Sequence, residues 1–241
     1  MSLLALERVQ KSFGGLVAVQ DFDMTVESGQ IVGLIGPNGA GKTTLFNLIA
    51  CFYRPDMGRI LFQDKNLIGM KPYHACKEGM ARTFQVCKPF VNSTVLENVM
   101  VGAFSRTHSA QAARCKALKI LELVEFAHRQ DVLGHELTTA DHKRLELARA
   151  LATEPKLLLL DEVMAGLNPA EKGHLVELLR KIRGAGITLV VVEHDMKAVM
   201  SLCERIILMH RGQKLVEGTP QEVANHPQAI AAYLGEEYAA A

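Results

Sequence analysis

The chain has 241 residues, with 27 Lys and Arg against 26 Asp and Glu, giving a formal net charge of +1. That length suits one large α/β domain or a domain with an insertion, and the charge balance excludes a general nucleic-acid-binding bias. No run approaches the ~20 apolar residues of a membrane span, the first eight residues lack a secretory-signal pattern, and five cysteines without a C-x-x-C pair suggest reduced thiols rather than zinc.

Residues 30–35 (Gln-Ile-Val-Gly-Leu-Ile) read as a buried strand. They run into Gly36, Pro37, Asn38, Gly39, Ala40, Gly41, Lys42, Thr43 and Thr44, the G-x-x-x-x-G-K-[ST] pattern between a strand and a helix. Glycines there let successive backbone N–H groups turn inward around a phosphate chain. Lys42 adds a point charge for the β- and γ-phosphates, Thr43 offers a hydroxyl to Mg²⁺, and the helix points its positive end at the same anion. This segment predicts binding of a nucleoside triphosphate.

Residues 109–129 follow a helical pattern, with Leu118, Leu121 and Val124 apolar and Glu122 and Glu125 polar. Thr138-x-x-Asp141 forms a capping box for a helix whose apolar face carries Leu145, Ala148 and Leu151. Three apolar runs then read as strands. Residues 157–160 are four leucines ending in Asp161-Glu162; residues 187–192 end in Glu193-His194-Asp195; residues 205–209 lead to a turn at Arg211-Gly212 and a short return strand at 214–216. Such continuous runs, separated by helices, predict a largely parallel sheet with ligands outside the carboxyl ends of its strands. On that placement Asp161 holds Mg²⁺ directly or through water, Glu162 polarises the attacking water, and His194 touches the γ-phosphate. The competing reading of these carboxylates is a solvated strand end. Thr219-Pro-Gln-Glu222 is another capping box, with Pro at the first helical position, and starts a short helical tail.

Taken in order, the motifs resemble those of ATP-binding subunits of ABC transporters. The phosphate loop is followed by Arg82-Thr-Phe-Gln85, a helix-rich stretch, residues 137–152, the 157–162 strand end, Ala165-Gly-Leu-Asn-Pro169 and Val192-Glu-His-Asp195. The likeness covers nearly the whole chain. The phrases Ala81-Arg-Thr-Phe-Gln85, Asp161-Glu-Val-Met-Ala-Gly-Leu-Asn-Pro169 and Ala232-Tyr-Leu-Gly-Glu236 are similar to the branched-chain amino acid uptake subgroup.

The resemblance implies an α/β P-loop NTPase fold, RecA-like with a mostly parallel sheet, an antiparallel β part and an inserted α-helical subdomain. Its boundaries would be a core at about 1–85 and 150–217, a helical subdomain at 86–149 and a tail at 218–241. It implies ATP and Mg²⁺ as bound species, with Glu162, His194 and Lys42 in catalysis. Phe13 would stack on adenine, although the residue alone also fits the core of a strand. Gln85 would join Thr43 and Asp161 on Mg²⁺, and the stretch 86–96, with Pro89, Phe90 and Val91, would form a groove for a membrane subunit's cytoplasmic helix.

The implied mechanism is a sandwich dimer, in which the helix start at Thr138 covers ATP held by a second ATP-binding subunit, identical or related. Two positions depart from the family's wording. Its Leu-Ser-Gly-Gly-Gln is here Leu137-Thr-Thr-Ala-Asp141, losing both glycines and gaining a negative charge; its Ser-Ala-Leu-Asp is Ala165-Gly-Leu-Asn168, losing one. Implied partners are transmembrane permease subunits and, indirectly, a solute-binding protein, with no nucleic acid. The implied location is cytoplasmic, peripheral on the inner face of the cell membrane. An exporter, for example of lipopolysaccharide, or a soluble ABC ATPase remains open at this point.

Overall fold

The structure is a computed structural model that describes residues 2–83 and 88–234, with the backbone alone at Leu234. The first part of the chain forms β1 (Ser2–Phe13), β2 (Leu16–Glu27), β3 (Ile31–Ile35), α1 (Lys42–Ile49), β4 (Met57–Phe62), β5 (Lys65–Asn66), α2 (Pro72–Glu78) and β6 (Met80–Arg82). It continues with α3 (Val95–Ala103), α4 (Ala110–Leu123), α5 (Thr139–Leu151), β7 (Leu157–Asp161) and α6 (Pro169–Gly184). The last part holds β8 (Thr188–Val192), α7 (Met196–Leu202), β9 (Arg205–His210), β10 (Gln213–Gly218), α8 (Pro220–Ala224) and α9 (Pro227–Leu234). These elements gather into two compact units, one of residues 1–75 and 188–241, the other of residues 76–187.

In the first unit, β3 lies between β8 and β9 and is parallel to both, with Val32 opposite Val190 and Leu34 opposite Ile207. All five residues of β3 and all five of β8 are buried, as expected of parallel strands covered on both faces. The turn after β9 is made by Arg211 at φ 47° and Gly212 at φ 82°, and β10 returns antiparallel. The same unit holds an antiparallel sheet in the order β2-β1-β4-β5. Periodicity does not announce its two 12-residue strands. Positive φ at Arg8 and Asp21 accompanies shifts of register that interrupt the alternation of buried and exposed residues.

In the second unit β6 and β7 run parallel, with Arg82 opposite Leu159. Residues 109–129 do not form one helix. Helix α4 starts at the Ser109 cap but stops at Leu123; Glu125 turns left-handed at φ 56°, and residues 127–129 close a separate 3₁₀ turn. Phe126, fully buried, anchors that break, because carrying the helix on would take its ring out of the core. The helical face buries Ala113, Ala117 and Leu121. Helix α3 has a complete capping box, Thr94 with Glu97, a sequence signal not read above.

Candidate functional site

The phosphate loop leaves β3 at its carboxyl end. Gly36 sits at φ 150°, where a Cβ would lie 2.1 Å from the Met209 carbonyl oxygen; Gly41 sits at φ 105°, where a Cβ would lie 2.3 Å from that of Ala18. Both positions demand glycine on conformational and steric grounds. Helix α1 begins at Gly41 with no side-chain cap and no acidic residue in its first turn, so no carboxylate competes with an anion there. Lys42 is 7% exposed, and its Nζ donates to the carbonyl oxygens of Gly36 at 2.7 Å and Pro37 at 3.0 Å. Asn38, Gly39 and Thr43 face outward, while Pro37 and Thr44 are half-buried and Ala40 is buried. The Ala40 carbonyl accepts from Gly212 N–H at 2.9 Å, fixing the loop to the β9–β10 turn. A glycine cradle with a buried ammonium and an uncapped helix start fits a polyphosphate.

Phe13, the last residue of β1, is 43% exposed rather than in the core. Its ring meets Tyr53 edge-on at 5.3 Å, and Lys11 Nζ lies 5.5 Å from its centroid. Asp56 fixes this end of β1 by accepting from Lys11 Nζ and from Ser12 N–H, both at 2.7 Å. Those two bonds, Lys11's first, hold the Asp56 carboxyl below the ordinary carboxylate range. His194 lies exposed in a bend after β8, and Asp195 caps α7 by accepting from Ala198 N–H at 3.1 Å. Helix α9 brings Tyr233 to the loop. Partial burial raises its phenol pKa, and a hydrogen bond from the Gly36 N–H opposes that rise.

In the second unit β7 is buried throughout and delivers Asp161 and Glu162 at its end. The Asp161 Oδ2 accepts from Arg82 at 2.8 Å, in a pair whose side chains are 6% and 9% exposed. Thr83 is fully buried; its Oγ1 accepts from Asp161 N–H at 3.2 Å. Glu162 sits at φ 49°, a left-handed conformation costing a non-glycine residue about 1–3 kcal/mol. The Glu162 carbonyl accepts from Lys143 Nζ at 3.4 Å and from Ala165 N–H at 3.2 Å, holding the strained turn. Asp161 and Thr43 are hard oxygen donors, the chemistry Mg²⁺ takes. Gln85 lies outside the described residues.

At the start of α5 the Thr138–Asp141 box is formed in full. The Asp141 Oδ2 accepts from Thr138 N–H at 3.2 Å and from its hydroxyl at 2.9 Å, while Thr138 Oγ1 accepts from Asp141 N–H at 3.2 Å. Arg129 reaches the same carboxylate oxygen at 3.3 Å. Asn168 is committed to capping α6, its Oδ1 accepting from the N–H groups of Ala170 and Glu171, both at 3.0 Å. Phe90 and Val91 are each 48% exposed, and Pro89 is half-buried. Asn98, fully buried, ties their loop down: it accepts from Phe90 N–H at 2.8 Å and donates to the carbonyls of Phe90, Ser93 and Thr94.

Sequence reasoning missed Arg82, Tyr53, Asp56, Lys143 and Asn98. Arg82 stands inside a phrase quoted above, but its partner is 79 residues away and only strand pairing brings the two together.

A strand–glycine loop–helix with a buried lysine, beside parallel strands and an antiparallel sheet, defines a nucleotide-binding cassette. The chain belongs to the ABC transporter family, whose model matches residues 19–165. A second model, described as a branched-chain amino acid ATP-binding cassette transporter, matches residues 213–239. The chain is 40% identical to the high-affinity branched-chain amino acid transport ATP-binding protein LivG of Escherichia coli K12, over 97% of this chain and 98% of that one. It is 34% identical to the lipopolysaccharide export system ATP-binding protein LptB of Haemophilus influenzae, over 99% of both. Among solved structures, an ABC transporter cassette in its ADP conformation matches with a TM-score of 0.89 at 31% identity, over 98% of this chain and 99% of that one.

Proposed function

We propose that this chain binds ATP with Mg²⁺ and hydrolyses it to drive uptake of branched-chain amino acids, or related small amino acids and amides, through separate permease subunits. The observation that carries nucleotide binding is the glycine cradle around buried Lys42, which no residue with a Cβ can replace at Gly36 or Gly41. The uptake reading and its solute class rest on the likeness to LivG and the match at residues 213–239.

The residues divide the work by their chemistry. Residues 36–44 receive the phosphates through backbone N–H groups, Lys42 balances their charge, and Phe13 offers a ring face to adenine. Thr43, Asp161 and Gln85 would hold Mg²⁺, which supplies charge neutralisation on the phosphoryl oxygens. Glu162 orients the attacking water and His194 supports the γ-phosphate. The helix start at Thr138 covers nucleotide on a second ATP-binding subunit, so ATP favours a closed dimer and hydrolysis releases it. The loop carrying Phe90 and Val91, clamped by Asn98, receives a cytoplasmic helix of the permease, in a helical subdomain of about 86–149. A solute-binding protein delivers the solute to the permease. The chain works at the cytoplasmic face of the membrane; among the described residues no helix is long and apolar enough to cross it.

Uptake of labelled leucine by cells lacking and then regaining this chain tests the reading. Restored uptake, with permease subunits co-purifying from solubilised membranes, is the expected result. Unchanged leucine uptake with a defect in outer-envelope lipid export would replace it with the exporter reading.

A further inference from the structure

The pair between Arg82 and Asp161 is not explained by nucleotide binding alone. In the β6–β7 register Arg82 faces Leu159, so residues 82, 159 and 161 share one side of the strand pair, and Arg82 is the diagonal neighbour of Asp161. Thr83 continues that ladder, donating its N–H to the Leu159 carbonyl at 2.9 Å and accepting from Asp161 N–H. The Asp161 N–H is therefore held by the hydroxyl of Thr83, just past β6, while its carboxylate is neutralised by the guanidinium of Arg82, the last residue of that strand.

We infer that Arg82 is the resting counter-ion of Asp161, a built-in cation with which the incoming divalent metal competes for the carboxylate. This rests on the proposal above that Asp161 is a metal ligand. A buried carboxylate left without a cation is strongly disfavoured, so the metal-free chain needs the guanidinium. A doubly charged ion on the same carboxylate removes that need. Arg⁺ and the metal then repel each other at short range, where water screens poorly. The guanidinium loosens from Asp161 as metal binds. Arg82 stands three residues before Gln85, which places this exchange at the root of the stretch leading to the Phe90 loop.

The test is titration of the full chain with Mn²⁺ at saturating ADP, following the signal of the free ion by electron paramagnetic resonance. Arg82→Met removes the competing charge and should bind Mn²⁺ about three- to tenfold more tightly than the wild type. Arg82→Lys keeps the charge and should stay within about twofold. Equal or weaker Mn²⁺ binding by Arg82→Met, or a Lys variant that behaves like Met, would overturn the inference. Should Arg82→Met not fold, the Arg82 Nε–H resonance of the wild type, assigned by its loss in Arg82→Lys, gives the answer. It should shift when Mg²⁺ is added to the ADP-bound chain, and a static resonance counts against the exchange. Asp161→Asn separates the two claims: unaltered Mn²⁺ binding would mean that Asp161 is no ligand and would overturn the earlier reading and the exchange together, whereas weakened binding in Asp161→Asn without tighter binding in Arg82→Met would overturn the exchange alone.

Discussion

At the phosphate loop a positive side chain is held by backbone, whereas at the end of β7 a negative one is held by another side chain. Lys42 points its ammonium at the carbonyls of Gly36 and Pro37, inside a loop whose glycines leave no room for a Cβ. Asp161 is paired with Arg82, side chain to side chain, at 2.8 Å. The first arrangement is fixed by main-chain geometry, so its residues are dictated one by one. The second depends on charge balance, which under the inference above a bound ion would shift. Backbone-built sites are written in local sequence, and charge-built sites are not.

The sharpest way to break this contrast is Gly36→Ala. Its Cβ would meet the Met209 carbonyl, which belongs to β9 and cannot rotate aside. We expect a loss of about 3 kcal/mol or more in stability, along with nucleotide binding, measured by denaturant unfolding and by titration. A variant as stable as the wild type that still binds ATP would show the loop to be pliant.

Glu162→Gln comes next. It preserves shape at the strained turn but removes the base, so hydrolysis should slow by about 10²- to 10⁴-fold while ATP stays bound and the dimer accumulates. Unchanged turnover would reject Glu162 as the group that orients water.

A smaller effect is expected at the start of α5. Asp141→Gln keeps a capping box and leaves Arg129 uncompensated, so a nearby polyanion gains an attraction in place of a repulsion. ATP-driven dimerisation, followed by analytical ultracentrifugation, should tighten about two- to fivefold. An unaltered dimer constant would mean that the carboxylate serves the cap alone.

The smallest effect concerns pH. The Asp56 carboxyl has its pKa lowered in the folded chain by Lys11 and then by Ser12 N–H, so its contribution is complete above the unfolded pKa of about 3.9. That contribution disappears as pH falls through the lower folded value. Asp56→Asn should therefore melt slightly lower than the wild type at neutral pH and converge with it at low pH, which flattens the acid limb of the melting-temperature profile. An identical acid limb in the variant would remove Asp56 from the account of how Phe13 is fixed.

What could be read from sequence follows the same division. The phosphate loop was legible because nine contiguous residues carry it, and β7, β8 and β9 because strands buried on both faces read as unbroken apolar runs. The Thr138 and Thr219 caps were legible because a box spans four residues. By contrast, β1 and β2 are interrupted by positive-φ residues and exposed polar positions, so their period is lost. The end of α4 depends on where Phe126 must be buried, a tertiary fact. The Asn168–Glu171 box that caps α6 went unread, although it too spans only four residues. The counter-ion of Asp161 and the left-handed Glu162 depend on the packing of strands far apart in sequence, and no local pattern states them.

The central claim is that the loop around Lys42 clasps a triphosphate. Isothermal calorimetry of the full chain with ATP and Mg²⁺, set beside Lys42→Ala, tests it most directly. The account predicts saturable heat near one ATP per chain for the wild type and none for the variant. Equal heats from both, or no heat from the wild type, would contradict it.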